Sequence, residues 1–180
     1  MIVLVTGGSG SGKSAFAEDT VLSFGEARRI YIATMYPFDV ESKKRVHRHR
    51  NMRAGKGFET VECYTNLKEL LLPKDSVVLL ECMSNLVANE MFQKDGAGER
   101  TVEEILEGIR DIAGYVRHLV IVTNEIFSET AIYEGETETY RKYLGEINRH
   151  LGELADEVYE VVYGIPLCVK GGSKDEKPLE

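Results

Sequence analysis

Cysteine is scarce in this chain of 180 residues, and its three copies, Cys63, Cys82 and Cys168, lie far apart. No Cys-x-x-Cys pair occurs, which excludes a disulfide framework and a zinc ribbon and fits a reducing cytoplasm. Positive charge is also in deficit: 22 Lys and Arg face 30 Asp and Glu, a net charge of −8. Dedicated nucleic-acid binders carry a basic excess, so that class is set aside. No apolar run approaches the ~20 residues that a membrane-crossing helix needs, and no membrane insertion is expected. The apolar start Met1–Val5 lacks a basic flank and runs straight into glycines, which argues against a secretion signal. What is present is 43% apolar and 29% charged residues over the length of about one domain, enough for a packed core under a solvated surface.

Short apolar runs alternate with longer amphipathic stretches, the pattern of an α/β fold with a mainly parallel sheet. The strand candidates are Ile2–Thr6, Ile30–Ala33, Val77–Glu81, Leu119–Thr123 and Glu157–Val162. Several lack polar alternation, as strands covered by helices on both faces do. Helices are expected after Lys13 and over Val40–Arg53, Met83–Phe92, Val102–Val116 and Thr137–Leu154. In the last, Tyr140, Tyr143, Leu144, Ile147, Leu151 and Leu154 form a core-facing stripe. Gly164-Ile165-Pro166 breaks the final strand, and Leu167–Val169 reads as a short extension or edge strand. Lys94–Arg100 reads as a loop. The expected organisation is one domain over residues 1–170 and a polar, disordered tail over 171–180.

Gly7-Gly8-Ser9-Gly10-Ser11-Gly12-Lys13-Ser14 matches the phosphate-loop pattern G-x-x-x-x-G-K-[ST] in full. It follows an apolar strand and opens a helix, the context that confirms such a motif. Glycines let successive backbone N–H groups curl round a β-phosphate, and the helix N-terminus adds its positive dipole. Lys13 is then expected on the β- and γ-phosphates and the Ser14 hydroxyl on Mg²⁺. The alternative is a plain flexible glycine-serine turn. A dinucleotide fingerprint is also contained in the loop, but it requires an acidic residue ~20 positions on, at the end of the next strand. There the chain reads Ala33-Thr34-Met35-Tyr36, so that reading fails. Glu81, after four apolar residues, is the expected carboxylate that organises Mg²⁺ beside the loop. Asn124-Glu125 is a second polar strand end, equally suited to capping a helix or to ligation.

The segment Asp39–Arg53 is the one concentrated positive region. On a helix Arg45, His49 and Arg53 recur every four residues and share a face. The competing readings are a solvated basic face and a binding face for triphosphate. Neighbouring cations lower a histidine's pKa and favour neutral imidazole, which can attack phosphorus while guanidiniums stabilise the oxygens that gain charge. His118 and His150 read as structural.

Taken together, these blocks resemble the bifunctional adenosylcobinamide kinase/adenosylcobinamide-phosphate guanylyltransferase family. The resemblance runs from Ile2 to about Lys170. It is carried by Val5-Thr6-Gly7-Gly8 with the phosphate loop, Tyr31-Ile32-Ala33-Thr34 and Asp39-x-Glu41-x-x-x-Arg45-Val46-x-x-His49-Arg50-x-x-Arg53. Thr60-Val61-Glu62-Cys63, Leu79-Leu80-Glu81-Cys82, Val122-Thr123-Asn124-Glu125 and Ala155-Asp156-Glu157-Val158 follow in order. The chain departs from the pattern at Gly10, where Arg is usual, and after Glu125. The resemblance implies a P-loop NTPase, RecA-like three-layer fold with a short antiparallel edge at the C-terminus. It implies phosphorylation of the adenosylcobinamide hydroxyl by ATP or GTP, and then transfer of GMP from GTP through a covalent GMP-histidine. The position matching the family's histidine is His49, because His49 and not His47 directly precedes Arg50-x-x-Arg53. The resemblance further implies nucleotide or metal contacts from Ala33, Thr34, Met35, Arg50, Asn51, Met52, Arg53, Glu62 and Glu81. No tightly bound organic cofactor is expected, and the family's usual assembly is a homotrimer. Two competitors remain: a P-loop small-molecule kinase without the guanylyl step, and a nucleotide-dependent binding module without turnover.

Overall fold

In the computed structural model, residues 1–38, 40–127 and 134–172 are described. Within the second helix the side chains of residues 41–43, 45, 48, 49 and 52 lie outside that description, as do the expected tail positions 173–180. The chain forms, in order, β1 (Ile2–Thr6), α1 (Lys13–Ser23), β2 (Arg28–Ala33), α2 (Val40–Arg53), β3 (Phe58–Glu62), β4 (Ser76–Glu81), α3 (Met83–Phe92), α4 (Thr101–Tyr115), β5 (His118–Val122), α5 (Glu136–Leu154), β6 (Glu157–Val162) and β7 (Ile165–Lys170). The strands form one sheet in the order β3-β2-β4-β5-β1-β6-β7. Every neighbouring pair is parallel except β6 with β7.

Apolar runs become central strands because both faces are covered. In β1, Leu4 packs toward α3, α4 and α5 with Ile32, Val78, Leu80 and Ile121. Val3 and Val5 point the other way, joining Tyr31, Leu79 and Val120 against Ala17 and Val21 of α1. Alternate residues of the central strands therefore feed two cores, which makes the three layers. The stripe expected on α5 does this work through Leu144, Ile147 and Leu151.

Most of the expected elements are present, with shifted ends. Strand β2 begins at Arg28 instead of Ile30, and β5 spans His118–Val122 instead of Leu119–Thr123. Helix α4 spans Thr101–Tyr115, one residue earlier than its apolar pattern implies. Strand β3 was not among the expected strands. Its sequence Phe-Glu-Thr-Val-Glu is half polar and it sits at the sheet edge, where one face stays wet. The final break falls one step early: the turn is Tyr163-Gly164, and Ile165 and Pro166 already belong to β7. Proline is tolerated there because β7 is an edge strand. The loop Lys94–Arg100 contains a single 3₁₀ turn at Gly98–Arg100.

Candidate active site

The carboxyl ends of parallel strands form one rim of the sheet, and that rim is where crossover loops leave room for ligands. The phosphate loop follows β1, Ala33 ends β2 with Thr34 and Met35 after it, Glu62 ends β3, Glu81 ends β4, and Asn124-Glu125 follow β5. Residues scattered over more than a hundred positions thus converge on one edge.

Two glycines fix the phosphate loop's shape. At Gly7 (φ 151°) a Cβ would stand 2.5 Å from the Val161 carbonyl oxygen of β6. At Gly12 (φ 94°) it would meet the Gly164 Cα at 3.2 Å, and the Gly164 N–H donates to the Ser11 carbonyl at 2.7 Å. The loop is therefore wedged against the β6–β7 hairpin. Lys13 is buried and its Nζ donates to the Gly8 carbonyl at 2.9 Å, an arrangement that spans the loop from within. Burial pulls the Lys13 pKa down, opposed by the nearby Cys82 and Glu81.

Glu81 is 8% exposed and joins the loop to the basic helix. It acts electrostatically on Lys13 on one side, and on the other it lines a narrow opening with Tyr31, Arg50 and Arg53. Arg53 is itself only 6% exposed; its guanidinium carbon lies 3.3 Å from the centroid of the Tyr31 ring, a stacked cation–π contact. Burial and the Glu81 carboxylate push the Tyr31 phenol far up, so it stays neutral. Behind this layer the Thr34 hydroxyl donates to the Glu81 carbonyl at 2.6 Å, and Asn89 Nδ2 donates to the Thr34 carbonyl at 2.8 Å. Cys82, directly after Glu81, adopts φ 61°, an uncommon conformation for a residue with a side chain and one that recurs at functional turns.

Further along α2, Arg50 pairs with Glu62 at 2.7 Å, and the Tyr64 hydroxyl donates to the other Glu62 oxygen at 2.9 Å. Burial, followed by the Glu62 carboxylate, pushes the Tyr64 phenol up to about 12. A cavity of about 320 Å³ opens here, with Met35, Val46, His47, Arg50, Glu62 and Tyr64 in its wall. A cleft of about 410 Å³ lies on the Arg53 side, bounded by Ala54, Gly55 and Phe58.

Besides the Tyr31 hydroxyl, two buried donors in this region have no hydrogen-bond partner among the described residues: Ser11 Oγ in the phosphate loop and Arg53 Nη1 on α2. Buried polar atoms are normally satisfied, so an orphaned pair calls for an absent acceptor, and an anion supplies one.

The structure therefore brings together Gly7, Gly12, Lys13, Ala33, Thr34, Met35, Arg50, Arg53, Glu62 and Glu81. The expected partners Arg45, His49 and Met52 have side chains outside the description; position 49 lies one helical turn before Arg53. His118 is elsewhere: it starts β5 at the opposite, amino edge and stacks on Phe24 with centroids 4.0 Å apart. His150 lies on α5, where its Nδ1 is 3.6 Å from Glu153. Tyr31 and Tyr64 were absent from the expected site. The alternation of β2 could have singled out Tyr31, since it places a phenol among inward aliphatic residues.

The model of one protein family matches residues 3–169: cobinamide kinase / cobinamide phosphate guanyltransferase. The chain belongs to this family. Its relatives include the bifunctional adenosylcobalamin biosynthesis protein CobU of Salmonella typhimurium, 33% identical over 94% of this chain and all of the relative. CobU of Escherichia coli K12 shows the same identity and coverage. Among solved structures, the flagellar accessory protein FlaH of Methanocaldococcus jannaschii superposes with a TM-score of 0.51 at 14% identity, over 96% of this chain and 80% of that one. A Pyrococcus horikoshii OT3 protein gives 0.53 at 8% identity, over 97% and 88%. These two likenesses concern the fold alone. Family membership makes the chain a transferase of cobalamin biosynthesis, with a nucleotide and cobinamide as its substrates. Among the described residues no helix is long and apolar enough to cross a membrane.

Proposed function

We propose that this family member carries its guanylyl group on His49 and that one nucleotide site, built from the phosphate loop and α2, serves both reactions. The observation that carries this reading is the position of Glu81, electrostatically coupled to Lys13 and sharing an opening with Arg53.

In the kinase reaction the aminopropanol hydroxyl of cobinamide attacks the γ-phosphorus of ATP or GTP. The bond from that phosphorus to the β-bridging oxygen breaks, the nucleoside diphosphate leaves, and the hydroxyl proton is released. Gly7 to Ser14 cradle the phosphates, with Ser9, Gly10 and Ser11 contributing backbone N–H groups and Lys13 its charge. In the second reaction the neutral His49 imidazole attacks the α-phosphorus of GTP, an N–P bond forms, and pyrophosphate leaves with the bridging electron pair. A phosphate oxygen of cobinamide phosphate then attacks that phosphorus, and the imidazole departs with the N–P electrons. Arg50 and Arg53 stabilise the oxygens that gain charge; Asn51, Ala33 and Thr34 complete the nucleotide's surroundings. The orphaned Arg53 Nη1 and Ser11 Oγ support this placement, since each would find its acceptor on a phosphate.

The donor set also fits Mg²⁺. Ser14 and Glu81 offer two hard oxygens, and this ion characteristically takes one or two protein ligands and fills its octahedron with phosphate and water. When bound, it neutralises charge on the phosphate oxygens. We further propose the family's homotrimer, which light scattering on the purified protein checks.

The test uses GTP labelled at the α-phosphate with no acceptor present. Wild-type enzyme should retain label on a denaturing gel, as an acid-labile, base-stable phosphoramidate, and His49→Ala should retain none. Label absent from the wild type, or persisting in His49→Ala, rejects the covalent step. Kinase turnover measured on the same preparations shows whether the variant still folds.

A further inference from the structure

The loop between β2 and α2 carries an aromatic ledge that none of the reactions above uses. Phe38 is 73% exposed and Tyr36 40% exposed, yet the two rings touch, with centroids 4.7 Å apart. Tyr64 joins them from beyond β3, edge-to-face on Tyr36 at 5.0 Å. Exposed aromatic carbon in contact with more aromatic carbon is a costly way to face water, and such patches mark binding surfaces. The ledge is also stiff. Pro37 sits between the two exposed rings with its φ fixed, and the Phe38 N–H donates to the Tyr36 carbonyl at 3.0 Å across it, a three-residue turn. A surface already held in its binding shape loses little freedom when a ligand arrives.

Its location says which ligand. Pro37 and Tyr64 line the 320 Å³ cavity that also holds Val46, His47, Arg50 and Glu62, so the ledge is the outward continuation of that cavity's wall. The polar groups that suit a nucleotide run from Glu62 and Arg50 in the same cavity wall to the buried Glu81 and Lys13 beside the phosphate loop. The family's other substrate is a broad macrocycle with methyl-bearing faces and an amide-fringed rim, and a cavity of that size cannot enclose it. It must rest outside and extend its aminopropanol arm inward.

We propose that Tyr36, Phe38 and Tyr64 form the docking ledge for the corrin ring of cobinamide, holding the macrocycle at the cavity mouth while its arm reaches the nucleotide. The inference rests on the nucleotide placement proposed above, and the labelling by GTP alone tests that placement without any corrinoid.

Phe38→Ala and Tyr36→Ala remove ring surface that is solvent-exposed and contribute little to the core, so both variants should fold. Kinase assays with cobinamide varied should show KM for cobinamide raised roughly tenfold in Phe38→Ala, the loss of one good aromatic contact. The KM for the nucleotide and the yield of labelled enzyme with GTP alone should stay at wild-type values. Phe38→Tyr, which keeps the ring, should restore the wild-type KM. Calorimetric titration with dicyanocobinamide reads the same loss directly. A raised nucleotide KM with an unchanged cobinamide KM would overturn the proposal in favour of base stacking. A change in oligomeric size by light scattering would overturn it in favour of a subunit contact. Unchanged constants for both substrates would overturn it outright.

Discussion

The phosphate loop and the basic helix meet at one edge of the sheet, yet they are held there by different means. The loop is fixed by backbone: within eight residues Gly7 and Gly12 take shapes closed to other residues, Lys13 bonds back to Gly8, and the remote support from the β6–β7 hairpin is itself backbone. Helix α2 is fixed from a distance, and its described fastenings lie near its carboxyl end. There Arg53 stacks on Tyr31 of β2, and just beyond the helix Lys56 Nζ lies 2.6 Å from Glu18 of α1. Arg29 completes the fastening by donating to the Lys56 carbonyl at 3.2 Å. Glu18 is only 2% exposed, so this ion pair is set into the core side of α1. Upstream, Arg50 has only the exposed pair with Glu62 among the described contacts. A device held by backbone keeps its geometry through most distant side-chain changes; one held by remote side chains loses it through substitutions that touch no ligand.

Breaking the remote fastening should produce the largest stability change. Lys56→Met leaves the buried Glu18 carboxylate unpaired and should cost about 3–5 kcal/mol in urea unfolding. The double variant Glu18→Leu with Lys56→Met should recover most of that loss, as exchange of a buried pair for apolar side chains does. Breaking the local device should cost less stability and more function. Gly7→Ala drives a Cβ to 2.5 Å from the Val161 oxygen, so we expect about 1–3 kcal/mol of destabilisation with nucleotide binding lost in calorimetry. Arg50→Gln removes an exposed pair worth about 0–1 kcal/mol, so thermal unfolding should barely move while the GTP KM rises. The smallest effect lies at the opposite edge of the sheet, on His118. Burial, with help from the N-terminal amine and Arg117, lowers its pKa in the folded state, so folding disfavours the charged ring. Its contribution is complete above the unfolded value of about 6.5 and is lost as pH falls toward the lowered folded value. His118→Phe should flatten the acid side of a stability-versus-pH curve below about pH 6.5, and leave both reactions unchanged.

The same division explains what could be read from the sequence. Central strands with continuous apolar runs, such as Val77–Leu80, and the phosphate loop are short-range patterns, and both were legible. Glu81 was legible because a carboxylate at the end of such a run has few other uses beside a phosphate loop. Strand β3 was not, because Glu59, Thr60 and Glu62 dilute its apolar signal at the sheet edge. The basic stripe on α2 was legible as charge, but its division of labour was not. Helical spacing groups Arg45, His49 and Arg53 and cannot reveal that Arg53 sinks onto an aromatic ring 22 positions earlier. Lys56 carried no signal at all, since its partner Glu18 lies 38 residues away in another helix.

The hairpin at the chain's far end has a role that its bare apolar surface conceals. Because the Gly164 amide grips Ser11 and its α-carbon crowds Gly12, the last two strands serve as a backstop for the segment that receives phosphate. A deletion beginning at residue 163 would spare every reactive group named above and still leave the anion cradle unsupported on one flank. Strength at one end of the polypeptide is thereby borrowed by chemistry at the other.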